Sequence, residues 1–129
     1  MEKLKILIAE DDNATTLLYR IAFRNQRDTE LLLVSDGEEA LTRYKSWHPD
    51  IVVLDFVMPK VSGLEALETL RDILNDTTTT VIMVSSVKDK KQVTACIKLG
   101  IQGYILKPFD GKTIAQDILD FHQKKNLTK

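Results

Sequence analysis

Five short apolar runs alternate along the chain with segments in which apolar residues recur every three or four positions, and this alternation most constrains the fold. Runs rich in Val, Ile and Leu are typical of strands, whereas the longer spacing is typical of helices. Because the runs are almost continuously apolar, the pattern predicts a parallel sheet with helices on both faces. The runs are LKILIA, ELLLV, IVVLD, VIMV and GYIL.

The segment after each run predicts a helix and the side chains with which that helix packs on the sheet. The expected core residues are Leu17, Leu18, Ile21 and Ala22; Ala40, Leu41 and Tyr44; Leu64, Leu67, Leu70 and Leu74; Val93, Cys96 and Ile97; and Ile114, Ala115, Ile118 and Leu119. Since the connections are short, we expect a single domain over residues 1–129 with a core from about 3 to 121. The polar segment 122–129 is either a free tail or the start of a linker.

Composition excludes several classes of function. The chain has 18 Lys and Arg against 19 Asp and Glu, so it lacks the basic excess that direct nucleic-acid binding requires. A single cysteine cannot form an internal disulfide. The first apolar run is too short for a signal sequence or a membrane span. We therefore expect a cytoplasmic protein with no membrane segment.

Polar side chains follow four of the five predicted strands. Glu10 and Asp11 come after the first, Asp55 ends the third, Ser85 follows the fourth and Lys107 the fifth. Ligands bind at the carboxyl ends of strands in an open parallel sheet. If the strand order is 2-1-3-4-5, these four ends are adjacent and the second strand, which ends on nothing distinctive, lies at the edge. The order therefore predicts one shared site.

The residue types at this site indicate phosphoryl chemistry. Carboxylates crowded together need a counter-charge, and hard oxygen ligands suit Mg²⁺. An aspartate such as Asp55 can act as a nucleophile that forms an aspartyl phosphate. A metal ion, Lys107 and the Ser85 hydroxyl would neutralise the oxygens of the phosphoryl group during its transfer. The set predicts a phosphoryl acceptor.

Four segments together resemble the receiver domain of bacterial response regulators, the family that includes the flavodoxin-like chemotaxis regulator. They are ILIAEDD, VVLDFVMP with SGLEAL after it, VIMVSS and GYILKPF, and the resemblance covers Lys3 to about Phe121. It implies a module of two-component signalling or a phosphorelay. Such a module takes a phosphoryl group from a histidine kinase or phosphotransfer protein. It promotes its own phosphorylation and dephosphorylation but turns over no separate substrate.

The resemblance also assigns the acidic residues. It implies that Asp55 is phosphorylated and that Asp11 and Asp55 bind Mg²⁺ or Mn²⁺ directly. The backbone carbonyl of Val57 would be a third ligand. Glu10 stands where aspartate is more usual, and its longer side chain is expected to reach the metal through water.

The remaining implied roles concern the switch. Ser85 would move its hydroxyl to the phosphoryl group, Lys107 would pair with that group, and Tyr104 would change rotamer. The Lys107–Pro108 peptide bond is cis in relatives. A downstream protein, or a second copy in a phosphorylation-dependent dimer, would dock on the face made by helix four, strand five and helix five.

Two other classes share parts of this pattern. An FMN-binding flavodoxin has the same fold, but its first loop cradles phosphate, which EDDNATT would repel. A haloacid-dehalogenase-type phosphatase also uses an aspartate after a strand, but it needs a second aspartate two residues later, where this chain has Val57.

Val57 and Val87 flank the expected path of water to the phosphoryl group. Because both are apolar, they predict a long-lived phosphorylated state.

Overall fold

Five parallel strands form one sheet in the order β2-β1-β3-β4-β5, which confirms the predicted flavodoxin-like α/β fold. The computed structural model describes residues 2–127, with side chains up to residue 125. The strands are β1 (Leu4–Ala9), β2 (Thr29–Val34), β3 (Ile51–Leu54), β4 (Thr80–Ser85) and β5 (Gly103–Leu106). The helices are α1 (Asn13–Phe23), α2 (Gly37–Trp47), α3 (Gly63–Glu68), α4 (Lys90–Lys98) and α5 (Ile114–Leu127), and a π-helical turn, Thr69–Ile73, continues α3.

The two faces of the sheet form two separate cores, because successive residues of a strand point to opposite sides. On one face Leu7, Val52 and Met83 pack with side chains of α2, α3 and α4. On the other face Ile8 and Val53 pack with side chains of α1 and α5. The three central strands are buried on both faces, as their unbroken apolar runs predict.

Of the four core residues predicted for α1, Ala22 packs against the core as expected, but the other three predictions are wrong. Leu17, Leu18 and Ile21 are 56%, 44% and 48% exposed, whereas Tyr19 and Phe23 are buried. Apolar residues surround nearly the whole helix, so periodicity alone does not select a face. The two aromatic rings, four residues apart, bury more apolar area than the aliphatic side chains, and they therefore determine which side meets the sheet.

The core faces predicted for α3 and α4 are correct only in part. Leu67 and Leu70 are buried, but Leu74 is 38% exposed because the π-helical turn adds a residue to the turn and rotates the positions that follow. In α4 Cys96 is fully buried, whereas Ile97 is 59% exposed. In α5 the predicted packing of Ile114, Ala115 and Ile118 is confirmed.

The segment 122–129 is helical as far as Leu127, since α5 continues through it, and residues 128 and 129 lie outside the described residues. Within the described part of the chain, no helix has the length and apolar character needed to cross a membrane.

Candidate functional site

The sheet brings four of the predicted polar positions to one edge. Strands β1, β3, β4 and β5 are neighbours, and each ends at the same side because all pairings are parallel. Glu10 follows β1, Asp55 follows β3, and Ser85 is the last residue of β4. Lys107 follows β5, and its backbone N–H donates to the Ser85 carbonyl at 3.0 Å.

Lys107 links the acidic residues of two strands. Its Nζ lies 2.5 Å from Oδ2 of Asp55 and 2.7 Å from Oε1 of Glu10. The Glu10 side chain is almost wholly buried and that of Asp55 is 10% exposed, so water screens these contacts weakly. The lysine side chain is flexible. Its ammonium group can therefore stay in contact with a negatively charged group that becomes attached to either carboxylate.

The pKa values of the pair reflect burial and mutual attraction. Burial raises the pKa of Glu10, although hydrogen bonds from Lys107 and the Asp12 amide favour its ionised form. Burial lowers the pKa of Lys107, but the hydrogen bonds and charges of Asp55 and Glu10 outweigh burial and raise it overall. The lysine is therefore a permanent cation at neutral pH.

The loop after β3 holds Asp55 from the other side. The Val57 amide donates to Oδ1 of Asp55 at 3.3 Å, and the Gly63 amide donates to the Phe56 carbonyl at 2.9 Å. A Cβ at Gly63 would lie 2.0 Å from the Asp55 carbonyl oxygen, so no larger residue fits there. Because Gly63 begins α3, its small size lets that helix start directly against the residue that ends the strand.

The carboxylates suit a divalent cation. Glu10, Asp11 and Asp55 each offer an oxygen, and these oxygens lie within 4.8 Å of one another. Asp11 is exposed whereas the other two are buried, so a metal ion could bind them and keep water ligands on its open side. An all-oxygen set of hard ligands matches Mg²⁺ or Mn²⁺.

Ser85, at the end of β4, and Tyr104, in β5, both contact the loop that follows β4. The Ser85 hydroxyl accepts from the Val87 amide at 3.2 Å, and the half-buried Tyr104 donates its hydroxyl to the Val87 carbonyl at 2.6 Å. The Lys107–Pro108 peptide bond is cis.

Asp12 caps α1 by accepting from the Thr15 amide at 2.9 Å, as its position before the helix suggests.

Sequence reasoning missed the direct bond between Glu10 and Lys107, as well as an aromatic pair under the β5–α5 loop. Both Glu10 oxygens have protein partners, since Oε2 accepts from the Asp12 amide at 3.1 Å. The rings of Tyr19 and Phe109 lie 5.1 Å apart between centroids. The extra methylene of glutamate was a signal for the first contact, because it lets that acid reach the lysine that follows β5.

The fold and the pocket define a class of protein: small doubly wound α/β domains that bind a charged ligand at the carboxyl ends of a parallel sheet. Residues 6–119 match the response regulator receiver domain, and the chain belongs to this family. It is therefore a phospho-accepting receiver domain of two-component signalling, a type of domain that binds Mg²⁺ in an acidic pocket and interacts with kinases and other proteins.

Particular relatives agree with this assignment. The chain is 32% identical over 121 residues to a protein described as probable transcriptional regulator ycf27 of Porphyridium aerugineum. The match covers 88% of this chain and 46% of that protein, so the chain spans about half the length of this curated relative.

Solved structures show the same architecture. A CheY-like receiver domain protein of Methanospirillum hungatei superposes with a TM-score of 0.86 at 19% identity, covering all of both chains, which supports the fold alone. The CheX-CheY-BeF3-Mg²⁺ complex of Borrelia burgdorferi contains a chain that is 29% identical, with a TM-score of 0.80. That match covers 92% of this chain and 89% of the other.

Proposed function

We propose that Asp55 is the phosphoryl acceptor of this receiver domain. The observation that carries the proposal is the contact of Asp55 with Lys107 at 2.5 Å, inside a pocket that also holds Glu10 and Asp11. Asp55 is the one member of this group at the end of the central strand β3, with neighbouring strands on both sides. It is thus within reach of the cation that follows β5 and of the acids that follow β1.

The reaction needs a nucleophile and a way to neutralise charge. An Asp55 oxygen would form a bond to phosphorus while the bond from phosphorus to a donor histidine nitrogen breaks, and that nitrogen keeps the electron pair. Lys107 would move from the Asp55 carboxylate to an oxygen of the arriving phosphoryl group. The Ser85 hydroxyl, which follows the adjacent strand, would donate to another oxygen.

Asp11, Asp55 and the Val57 carbonyl would hold Mg²⁺ or Mn²⁺, with Glu10 contributing through water. When bound, the ion supplies positive charge that stabilises the oxygens of the phosphoryl group in transfer. Glu10 would keep Lys107 nearby and would release part of that contact when the lysine turns to the phosphoryl group.

The output would be a change in the protein-binding face of α4, β5 and α5. Ser85 and Tyr104 both contact Val87, one through its amide and the other through its carbonyl, so movement of the serine would disturb the tyrosine contact. A histidine kinase or phosphotransfer protein would supply the phosphoryl group. A downstream protein, or a second copy of the chain, would read the altered face.

The test is phosphorylation by a small donor such as acetyl phosphate with Mg²⁺, followed by intact-mass measurement. We expect one phosphoryl adduct on the wild-type protein and none on Asp55→Asn or after metal chelation. Asp110→Asn, which removes an exposed carboxylate from the β5–α5 loop, serves as the matched control and should keep the adduct. An adduct on Asp55→Asn would overturn the assignment.

A further inference from the structure

Arg71, in the π-helical turn after α3, is a buried arginine that the acidic pocket does not use. Its partners lie in the loops before β4 and β5, at the opposite end of the sheet from Asp55. The guanidinium donates from Nε to the Leu99 carbonyl at 3.0 Å, from Nη1 to the Asp76 carbonyl at 2.9 Å, and from Nη2 to the Gly100 carbonyl at 2.9 Å and to Oε1 of Gln102 at 3.4 Å.

Two of these acceptors belong to the C-terminal end of α4. Leu99 is the C-cap residue of that helix, and Gly100 follows it with a φ of +80°. The last carbonyls of a helix lack partners within the helix and carry partial negative charge. Arg71 therefore satisfies them with a cation supplied by another element.

The loop that contains Asp76 is itself held firmly. The Asp76 carboxylate accepts from the backbone amides of Thr78 at 2.8 Å and Thr79 at 2.9 Å, and the Tyr44 hydroxyl of α2 also donates to it. Arg71 thus connects the end of α4 to α3, to α2 and to the loop before β4.

The N-terminal end of α4 has weaker attachments. Cys96, in the second half of the helix, is its buried residue, and Asp89 caps the start through a local bond to the Lys91 amide at 3.0 Å. The loop before the helix is tied to the sheet side by the Tyr104–Val87 and Ser85–Val87 hydrogen bonds. Both of those bonds involve residues that the proposed switch would move.

We propose that Arg71 fixes the C-terminal end of α4 as a pivot, so that phosphorylation moves the N-terminal end about it. The inference rests on the proposed function, because that function supplies the movement of Ser85 and Tyr104. A helix end that moves during switching must be held by contacts that cost little free energy to break, such as neutral hydrogen bonds. Several hydrogen bonds to a buried charged group resist opening. The unequal ends of α4 meet both requirements.

Hydrogen exchange of individual backbone amides tests the pivot in the free protein. The Leu99 amide bonds to the Cys96 carbonyl and the Gly100 amide to the Ile97 carbonyl, so both report on the end that Arg71 holds. In Arg71→Lys and Arg71→Met we expect these amides to exchange roughly tenfold faster or more, because the local opening loses bonds to a charged group. Amides of the central strands β1 and β3, which open only when the whole domain unfolds, should accelerate no more than the lowered free energy of unfolding requires.

Tyr44→Phe is the matched control, because it removes a hydrogen bond from the same network without touching α4. We expect it to leave exchange at Leu99 and Gly100 near the wild-type rate. Equal acceleration in Tyr44→Phe and Arg71→Lys would mean that general loosening, not an anchor, protects the end of α4, and would overturn the proposal. Unchanged exchange in both Arg71 variants would do the same.

Addition of beryllofluoride and Mg²⁺ then tests the movement. In the wild type we expect exchange to change at residues 87–93 and to stay constant at residues 97–100. In Arg71→Lys the change should spread to 97–100. Equal changes at both ends of α4 in the wild type would overturn the pivot. A complete lack of response would contradict the proposed function instead, and the comparison of the free variants would still decide whether Arg71 anchors the helix.

Discussion

Lys107 and Arg71 are cations set among backbone and side-chain oxygens at opposite ends of one sheet, and their partners differ in kind. Lys107 contacts the carboxylates of Glu10 and Asp55. The four acceptors of Arg71 are neutral, and three are backbone carbonyls. One cation therefore faces groups whose charge chemistry can change, whereas the other faces groups whose position the backbone fixes.

The side chains suit these surroundings. A lysine ammonium is a compact charge on a flexible stem, and it can exchange one oxygen partner for another at small cost. The planar guanidinium of arginine directs its N–H groups in fixed directions and matches several fixed acceptors at once. At the carboxyl ends of the strands the cation can change partners, whereas at the amino ends the cation holds neighbouring elements in fixed positions.

The largest expected effect is on the rate of phosphorylation at the Lys107 end. Lys107→Ala should slow phosphorylation by acetyl phosphate roughly 100-fold to 1000-fold, the usual cost of losing one preorganised charge-stabilising group. The measurement is the initial rate of adduct formation by intact mass. Lys112→Ala, an exposed lysine in the same connection, should match the wild type. Equal rates for Lys107→Ala and Lys112→Ala would show that the bridging contact has no part in the chemistry.

The next effect is on stability at the Arg71 end. Arg71→Met should lower the free energy of unfolding by about 3 kcal/mol, because it removes several hydrogen bonds that a buried charged group donates to partly buried acceptors. Urea denaturation measures this loss, and Arg43→Met, which removes an exposed arginine from α2, is the control. Phosphorylation of folded Arg71→Met should proceed at the wild-type rate. A slow rate together with unchanged stability would reverse the proposed division of roles between the two cations.

The contrast between the two ends also explains which features the sequence could predict. Asp55, Lys107 and Ser85 each stand directly after a recognisable strand, so the parallel order alone predicts that they meet. Arg71 has no such signal, because its role depends on a π-helical turn and on carbonyls from two loops, one of which lies 28 residues away at Leu99. Local sequence patterns locate the ends of strands. The burial of an arginine among backbone carbonyls is known only from the tertiary structure.

Helix packing shows the same limit. The central strands were predictable because every residue of a run such as Ile51–Leu54 is buried, so no choice has to be made between two faces. On α1 the choice between Leu17 and Tyr19 as a core residue depends on how much area each buries against the sheet. That competition is decided by shape and volume, which periodicity does not contain.

A smaller effect is expected on the lifetime of the phosphorylated state. Val57 is 65% exposed and Val87 is half-buried, and neither can orient a water molecule for attack on phosphorus. Val57→Asn combined with Val87→Glu should speed phosphate release about 10-fold to 100-fold, which corresponds to about 1–3 kcal/mol in the barrier.

Phosphate release from purified phosphorylated protein measures this lifetime. Val57→Ala removes methyl groups without adding a polar atom, so it separates shielding from water orientation. We expect Val57→Ala to release phosphate more slowly than the double variant. If the double variant and the wild type release phosphate at the same rate, the two valines do not control the lifetime.

The smallest effect concerns pH at the Arg71 end. Burial, together with the hydrogen bond to Asp76, raises the pKa of Tyr44 from 10.0 to about 12. The unfolded chain therefore releases this proton at lower pH than the folded protein, and unfolding becomes more favourable as pH rises from about 10 to 12. At neutral pH the wild type should be more stable than Tyr44→Phe by about 1 kcal/mol, the value of one hydrogen bond.

This advantage should shrink as pH rises through that window, because only the wild type loses a stabilising proton. Urea denaturation of both proteins between pH 7 and the alkaline limit of folding measures the difference, and subtraction removes the titration of all groups that they share. A difference that stays constant with pH would show that the Tyr44 hydroxyl is not held by Asp76. The Arg71 end would then lack its link to α2, and the anchor of α4 would depend on the four guanidinium bonds alone.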